Sequence, residues 1–227
     1  MLIIDHADGS WLVDTEGNRY LDGVSSLWCN VHGHRVPELD NAIRFQLDKV
    51  AHSTLLGVSH APAIMLSRRL VEIAPPGLTR VFFSDNGATA VESALKMAFQ
   101  FHLQRPDPKP GKCLFLSLGG AYHGDTLGAV GVGDLGLFHD RFGPLRVPAL
   151  HACQPHCYRC PLGLSRPGCA MACAAEAEKL IETHASRLAA VVIEPGMQGA
   201  AGMIPLPEGY LRRIRAATTA HDVLLIA

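Results

Sequence analysis

Continuous apolar runs alternate with amphipathic stretches over most of the chain. The runs lie at residues 81–83, 113–118, 145–150, 189–193 and 223–227. Apolar residues at helical spacing fill the intervals at residues 91–101, 170–187 and 208–221. Buried strands that alternate with helices predict an α/β fold with a mostly parallel sheet flanked by helices on both faces. In such sheets, ligands bind beyond the carboxyl ends of the strands.

The first part of the chain has a different pattern. Residues 11–14 and 19–22 are short strand-like runs around a turn, which predicts a hairpin. Residues 23–35 lack periodicity and are rich in Trp, His and Ser, as in a loop that lines a pocket. Helices are predicted at 37–50 and 60–74. We therefore divide the chain into an N-terminal segment, 1–57, and part of a larger domain, 58–227.

Composition narrows the choice of partner. Hydrophobic residues make up 48% of the chain, charged residues 18%, and the net charge is −1. This favours a soluble globular protein with small-molecule substrates, and gives no reason to expect nucleic acid or a membrane as a partner. Met1 to Asp5 has neither the basic lead nor the long apolar core of a signal peptide, so a cytoplasmic location is expected.

The junction from Arg80 to Phe99 predicts a strand, a tight turn and a helix. Ser84, Asp85, Asn86 and Gly87 form the turn. The start of the helix then presents unpaired backbone N–H groups, which suit a phosphate group because the helix dipole also favours negative charge. An ordinary strand-to-helix connection is the alternative interpretation.

Two further motifs lie nearby. Residues 121–126, after the 113–118 run, place an aromatic ring, an imidazole and a carboxylate close together, which suits a flat phosphorylated cofactor. A plain helix cap at Asp125 is the alternative. Residues 131–136 match the glycine pattern of dinucleotide-binding loops. That pattern requires a strand before it and a helix after it, and residues 137–144 do not form a convincing helical pattern, so we reject that interpretation.

A cysteine-rich insertion is predicted at residues 151–173. Five of the seven cysteines fall there, and four of them lie within seventeen residues, namely Cys157, Cys160, Cys169 and Cys173. They could bind zinc or an iron–sulfur cluster, and a metal-binding or structural protein is the alternative from another functional class. Free cysteines are also common as small core residues.

Several of these segments together resemble one enzyme family. Residues 84–96, 121–128, 193–203 and 223–227 resemble the class III, fold-type I pyridoxal-phosphate aminotransferases. Residues 25–28, 31–34 and 52–64 are similar to its biotin-pathway members, which transfer an amino group from S-adenosylmethionine to 8-amino-7-oxononanoate and form 7,8-diaminononanoate. The resemblance covers nearly the whole chain and implies a homodimer in the complete enzyme.

The resemblance also implies site residues. Cofactor contacts are expected at Gly87, Ala88, Tyr122, His123 and Glu194. Substrate contacts are expected at Leu27, Trp28, Tyr122 and Asp125. Gly87 and Ala88 match the phosphate loop, Tyr122 matches the ring that stacks on the cofactor, and Glu194 matches an acid near the ring hydroxyl.

Three departures from the family pattern bear on function. Ala88 replaces a common Ser or Thr, so the backbone N–H alone must bind phosphate there. Leu27 replaces the first of two tryptophans in some biotin-pathway members. Family members that use free glutamate as the amino donor share a glutamate residue at the position of Ala200. The alanine here favours a different amino donor. Aminotransferases of the ornithine, 4-aminobutyrate or β-alanine type are the alternative within the family.

The family resembled here also implies groups that follow Ala227. These are an aspartate that pairs with the pyridine nitrogen and the lysine that binds the cofactor covalently. We therefore expect a truncated large domain that binds the cofactor weakly, does not transaminate and tends to associate.

Overall fold

The computed structural model describes residues 1–136 and 138–227, together with the backbone of residue 137. The chain forms two compact units, residues 1–81 and residues 82–227. The expected division after residue 57 stays a prediction. No helix in the described part of the chain is both long enough and apolar enough to cross a membrane.

An antiparallel sheet begins the first unit. Its strands are β1 (Ile4–Asp8), β2 (Trp11–Asp14) and β3 (Arg19–Leu21), in that order. β2 and β3 form the predicted hairpin. Asp14 holds its turn by accepting hydrogen bonds from the backbone N–H groups of Glu16 and Asn18. β1 was not predicted, because its five residues include few of the large apolar side chains that indicate a strand.

Three helical segments follow in this unit. They are α1 (Ser25–Trp28), α2 (Pro37–Leu47) and α3 (Ala61–Ile73). α2 and α3 confirm the two predicted helices, and each has a proline in its first turn, where no backbone N–H is needed. Their apolar side chains, including Ile43 and Ile73, are exposed, and Asp14 is the buried residue among residues 1–81.

A parallel sheet forms the centre of the second unit. Its strands are β4 (Leu114–Leu118), β5 (Ala149–Ala152), β6 (Leu188–Val192) and β9 (Leu224–Ile226), in the order β5-β4-β6-β9. A two-stranded antiparallel pair, β7 (Met197–Gln198) and β8 (Ile204–Pro205), lies apart from it. The helices are α4 (Gly87–Gln104), α5 (Leu127–Val132), α6 (Gly136–His139), α7 (Ala172–Thr183) and α8 (Tyr210–Ala220).

The core lies on both faces of this sheet. Along β4, Leu114, Leu116 and Leu118 pack in the same cluster as buried residues of α7 and α8. Phe115 points the other way and packs in a cluster with residues of α4 and α5. Because side chains alternate along a strand, a run that is apolar at every position buries both faces, as predicted for this α/β fold.

Two predicted strands need correction. Val81, Phe82 and Phe83 form no strand, since no neighbouring strand pairs with them among the described residues, and Phe82 remains exposed. The strand expected at 145–150 begins at Ala149, because residues 140–145 form a 3-10 turn. The rejection of the dinucleotide loop is confirmed, because Gly131 lies in α5 and the glycines follow a helix instead of a strand.

Lys112 joins three parts of the second unit. Its ammonium group is almost fully buried and donates to the carbonyl oxygens of Ala185, Leu188 and Asp222. Burial lowers the pKa of this lysine. The hydrogen bonds to three carbonyl groups compensate for part of the cost of burying the charge.

Lys112→Ala is expected to lower the free energy of unfolding by about 2 kcal/mol, because the substitution leaves carbonyl groups without a donor. Lys109→Ala is the control, since its ion pair with Asp222 is partly exposed and such pairs contribute about 1 kcal/mol or less. Urea unfolding of both variants measures the difference. Equal losses would contradict the role given to Lys112.

Candidate functional site

A cleft of about 720 Å³ lies at the carboxyl end of β4. It is lined by the start of α4 and by the segment between β4 and α5, with the residues Asn86, Gly87, Ala88, Val91, Tyr122, His123, Gly124, Asp125 and Thr126. Its volume is in the range of small-molecule sites. The structure thus brings together five of the predicted residues at the sheet edge where ligands bind in α/β folds.

The start of α4 offers two free donors to this cleft. Asn86 and Thr89 form a capping box, in which the Asn86 side chain accepts from the N–H of Thr89 at 3.0 Å. The box leaves the N–H groups of Gly87 and Ala88 without an acceptor among the described residues. Together with the helix dipole, two adjacent free N–H groups form a site for a phosphate group.

A close backbone approach joins the two walls of the cleft. Gly124 has a φ of +122°, and a Cβ atom there would lie 2.5 Å from the Cβ of Ala88. Only glycine adopts this conformation without strain and allows this contact. The small residues at positions 88 and 124 therefore hold the phosphate-binding helix end against the segment that carries Tyr122.

Tyr122 is fixed from three directions. Its hydroxyl group donates to Asp125 at 2.7 Å, and its backbone N–H donates to Glu194 at 3.1 Å. The ring of buried His139 lies parallel to the tyrosine ring, with 6.0 Å between the ring centres and 11° between the planes. The bond to Asp125 raises the pKa of Tyr122, with a smaller effect of burial, so the phenol stays protonated at neutral pH.

Glu194 is in the second unit but does not line the cleft. Its two carboxylate oxygens accept from the N–H groups of Tyr122 and Gly199. Next to it, the buried side chain of Gln198 donates to the carbonyl oxygen of Gly119 and accepts from Gln154. Glu194 therefore contacts the backbone of the stacking residue, and its predicted contact with a cofactor ring stays a prediction.

Two buried polar atoms in the lining lack partners. Nε2 of His123 and Oγ1 of Thr126 have no hydrogen-bond partner among the described residues. Buried polar groups are usually satisfied, so unpaired ones in a cleft indicate a ligand or ordered water. Thr126 belongs to the 121–126 segment that the sequence indicates as part of the site, but no role was predicted for its hydroxyl group.

Three histidines at the cleft or close to it have a lowered pKa, and His123 lines the cleft itself. Burial, with smaller effects of His139 and His151, lowers the pKa of His123 to about 4. Burial also lowers the pKa of His139 and of His151. Ser117 Oγ and His151 Nδ1 are 2.9 Å apart. His123 is therefore a neutral imidazole at pH 7, able to donate or accept one hydrogen bond at each nitrogen.

Glu92 supports the cleft from α4. Its carboxylate accepts from the N–H of Gly128 at 2.7 Å and from that of Ala129 at 3.3 Å, and so caps α5. Thr126, the residue at the start of α5, makes no side-chain cap itself. A Cβ atom at Gly128 would lie 2.3 Å from Glu92, so this glycine is needed for the cap.

Leu27 and Trp28 lie in the first unit and are exposed. Both have positive φ, as do Ser25 and Ser26, so this segment is left-handed. Asp22 holds it by accepting from the backbone N–H and the hydroxyl group of Ser26, at 2.8 Å each. Such strain in residues with a Cβ atom is concentrated at functional sites. The role of Leu27 and Trp28 in substrate binding stays a prediction.

The seven cysteines are all free. Cys157, Cys160, Cys169 and Cys173 line one cavity beside the start of α7. Burial raises the pKa of Cys173, and the neighbouring thiols of Cys157 and Cys160 add to that effect. No three potential ligands within the described residues are arranged as a site for a single metal ion.

Comparison with known proteins identifies the family. The model of the family Aminotransferase class-III matches residues 1–227. The chain belongs to the class III aminotransferases. The adenosylmethionine-8-amino-7-oxononanoate aminotransferase of Nitratidesulfovibrio vulgaris is 56% identical over 99% of this chain and 42% of its own length. The enzyme of the same name from Geobacter sulfurreducens is 52% identical over 100% of this chain and 50% of its own length.

Solved structures agree with this assignment. The crystal structure of adenosylmethionine-8-amino-7-oxononanoate aminotransferase from Methanocaldococcus jannaschii has a TM-score of 0.90 and 44% identity, over 99% of this chain and 48% of that one. A PLP-bound amine transaminase from an uncultivated Pseudomonas species has a TM-score of 0.89 and 36% identity, over 99% of this chain and 51% of that one. The predicted fold type is confirmed. This aminotransferase chain spans about half the length of the relatives it matches.

Proposed function

We propose that the cleft binds pyridoxal 5'-phosphate, with its phosphate group on the N–H groups of Gly87 and Ala88. The observation that carries the proposal is this pair of free donors at a capped helix end, next to a fixed aromatic ring. The unpaired atoms of His123 and Thr126 add polar groups of the kind that such a cofactor requires. The residues present therefore fit the cofactor that class III aminotransferases use.

When bound, pyridoxal phosphate supplies an electron sink for the substrate carbon that exchanges its amino group. The residues of this chain then have separate roles. Tyr122 provides the stacking face, and His139 and Glu194 hold that face in position. Asp125 accepts the hydroxyl proton of Tyr122 in a hydrogen bond and so directs the phenol toward the substrate side.

The proposed reaction is the transfer of an amino group from S-adenosylmethionine to 8-amino-7-oxononanoate, a step of biotin biosynthesis. One support is the names of the relatives that are 44–56% identical. The other is Ala200, because family members that use free glutamate as the amino donor share a glutamate residue at this position. A homodimer and a cytoplasmic location are part of the same proposal. Leu27 and Trp28 are proposed to contact the substrate.

A hybrid enzyme tests this reaction. These 227 residues replace the matching half of the Methanocaldococcus jannaschii relative, whose fold they share. We expect turnover with S-adenosylmethionine as the amino donor, and little with glutamate. Ala200→Glu in the same hybrid is the matched variant, and Tyr122→Ala controls for the integrity of the site. Efficient use of glutamate by the unmodified hybrid would instead indicate one of the general ω-aminotransferases.

Gly87→Val is expected to weaken binding of pyridoxal phosphate by about tenfold or more. A side chain at the first helical position crowds the phosphate oxygens that the N–H of residue 87 binds. One charge-assisted hydrogen bond contributes about 1.5–3 kcal/mol, which corresponds to a loss of this size. Apart from the adjacent residues and backbone of the same helix, no atom of the described residues lies within 4 Å of the added Cβ, so the fold should tolerate it. Fluorescence titration compares the phosphate with pyridoxal, which lacks it. Similar losses for both ligands would exclude the phosphate assignment.

A further inference from the structure

The cysteine-rich insertion has features that the aminotransferase reaction does not use. Its four cysteines, Cys157, Cys160, Cys169 and Cys173, line one small cavity of about 30 Å³. The rest of the lining is mainly apolar and includes Pro155, Leu162, Leu164, Met171 and Pro207. The cavity lies away from the cleft of the proposed cofactor, since the two have no lining residue in common.

The spacing of these cysteines favours a metal centre over a chance group of thiols. Cys157 and Cys160 are separated by two residues, and Cys169 and Cys173 by three. Two such pairs are typical of tetrahedral zinc sites and of iron–sulfur sites, in which all four ligands are thiolates. The fold brings the two pairs to one cavity, although eight residues separate them along the chain.

The four thiols must be redirected before they can bind one metal centre. Within the described residues, no three potential ligands are already arranged around a single ion. A zinc ion with four sulfur ligands at about 2.3 Å requires them to point at one centre. Cysteine has one side-chain torsion, so each thiol that lines the cavity can be redirected by rotation between staggered positions.

We propose that Cys157, Cys160, Cys169 and Cys173 form a four-thiolate site for a thiophilic metal centre. Two sources supply this chemistry, a single zinc ion and an iron–sulfur cluster, and metal analysis distinguishes them. The site fixes the insertion to the start of α7, because Cys173 lies in the first turn of that helix. An insertion with so few strands and helices gains stability from such a link.

The metal site also has a route to the cofactor cleft. Gln154 lines the cysteine cavity and donates to the buried side chain of Gln198. Gln198 in turn donates to the carbonyl oxygen of Gly119, which follows β4 and precedes Tyr122 by three residues. Loss of the metal centre would therefore loosen the hydrogen bond between Gln154 and Gln198, next to the proposed cofactor site.

The test measures the metal content of the full chain after anaerobic purification and supply of either Zn²⁺ or ferrous iron with sulfide. We expect either one zinc per chain, or iron and sulfide in equal amounts with visible absorption. Most of this metal should be lost in the double variant Cys157→Ser/Cys160→Ser. The matched control is Cys29→Ser/Cys113→Ser, which removes two exposed cysteines outside the cavity and should keep the metal.

A second measurement does not depend on the folding of any variant. The unchanged chain, with and without the supplied metal, is treated with an alkylating reagent and the modified cysteines are identified by mass spectrometry. Metal should protect the four cavity cysteines and leave Cys29 and Cys113 reactive. Absence of stoichiometric metal from the native chain, or equal labelling of all cysteines with and without metal, would overturn the proposal.

Discussion

Gly124→Ala is expected to lower the free energy of unfolding by about 4 kcal/mol and to abolish binding of pyridoxal phosphate. The new Cβ would lie 2.5 Å from the Cβ of Ala88 and 2.7 Å from its Cα. Two free-energy costs add. Backbone strain at a φ of +122° costs about 1–3 kcal/mol, and overpacking against Ala88 costs about 1–3 kcal/mol more. Relief of the contact would move the start of α4 away from the Tyr122 segment, which separates the two walls of the cleft.

Gly111→Ala is the matched control for this prediction. It adds the same methyl group to the same unit, but its φ is not positive and the nearest atom is 3.6 Å away. Chemical denaturation and cofactor titration should therefore show little change for the control. If Gly124→Ala unfolded at the same denaturant concentration as Gly111→Ala, the close approach of the two walls would be refuted.

The second large effect concerns pH. The pKa of His123 is about 4 in the folded chain and 6.5 for an unperturbed histidine. Between these values the unfolded chain binds a proton that the folded chain does not, so stability increases with pH in this window. Above pH 6.5, His123 makes its full contribution to the free energy of unfolding. As the pH falls toward 4, the free energy of unfolding decreases by about 3 kcal/mol.

Urea unfolding at pH 7 and at pH 4.5 measures this loss, and His123→Gln should reduce it. The other histidines with a lowered pKa, His102, His139 and His151, keep part of the pH dependence in the variant. His32→Gln, which removes an exposed imidazole, should leave the loss unchanged. An identical loss in the wild-type chain and His123→Gln would show that His123 is not buried as a neutral group.

The sequence was sufficient to predict much of the fold, because the elements concerned bury both of their faces. β4, β6 and β9 are runs that are apolar at nearly every position, and the helices between them have clear apolar spacing. Val81 to Phe83 has the same apolar composition, but no strand pairs with it in the part of the chain that the structure describes. Composition cannot distinguish these cases, since a strand also requires a partner for its backbone hydrogen bonds.

The site could be predicted only where its residues are close in sequence. Gly87, Ala88 and the segment from Tyr122 to Asp125 each follow a recognisable pattern, and they meet in one cleft. Glu92 and Gln198 form hydrogen bonds with residues 36 and 79 positions away, and His139 stacks on a ring 17 positions away. No local pattern shows such contacts.

The central claim is that the start of α4 binds the phosphate group of pyridoxal phosphate. Amide NMR spectra of the ¹⁵N-labelled chain, recorded during titration with pyridoxal phosphate, pyridoxal and inorganic phosphate, test this claim most directly. We predict that the phosphate-containing ligands shift the amide signals of Gly87 and Ala88 most strongly, and that pyridoxal leaves these two signals largely unchanged. Saturable binding of pyridoxal phosphate without any shift at Gly87 and Ala88 would contradict the claim.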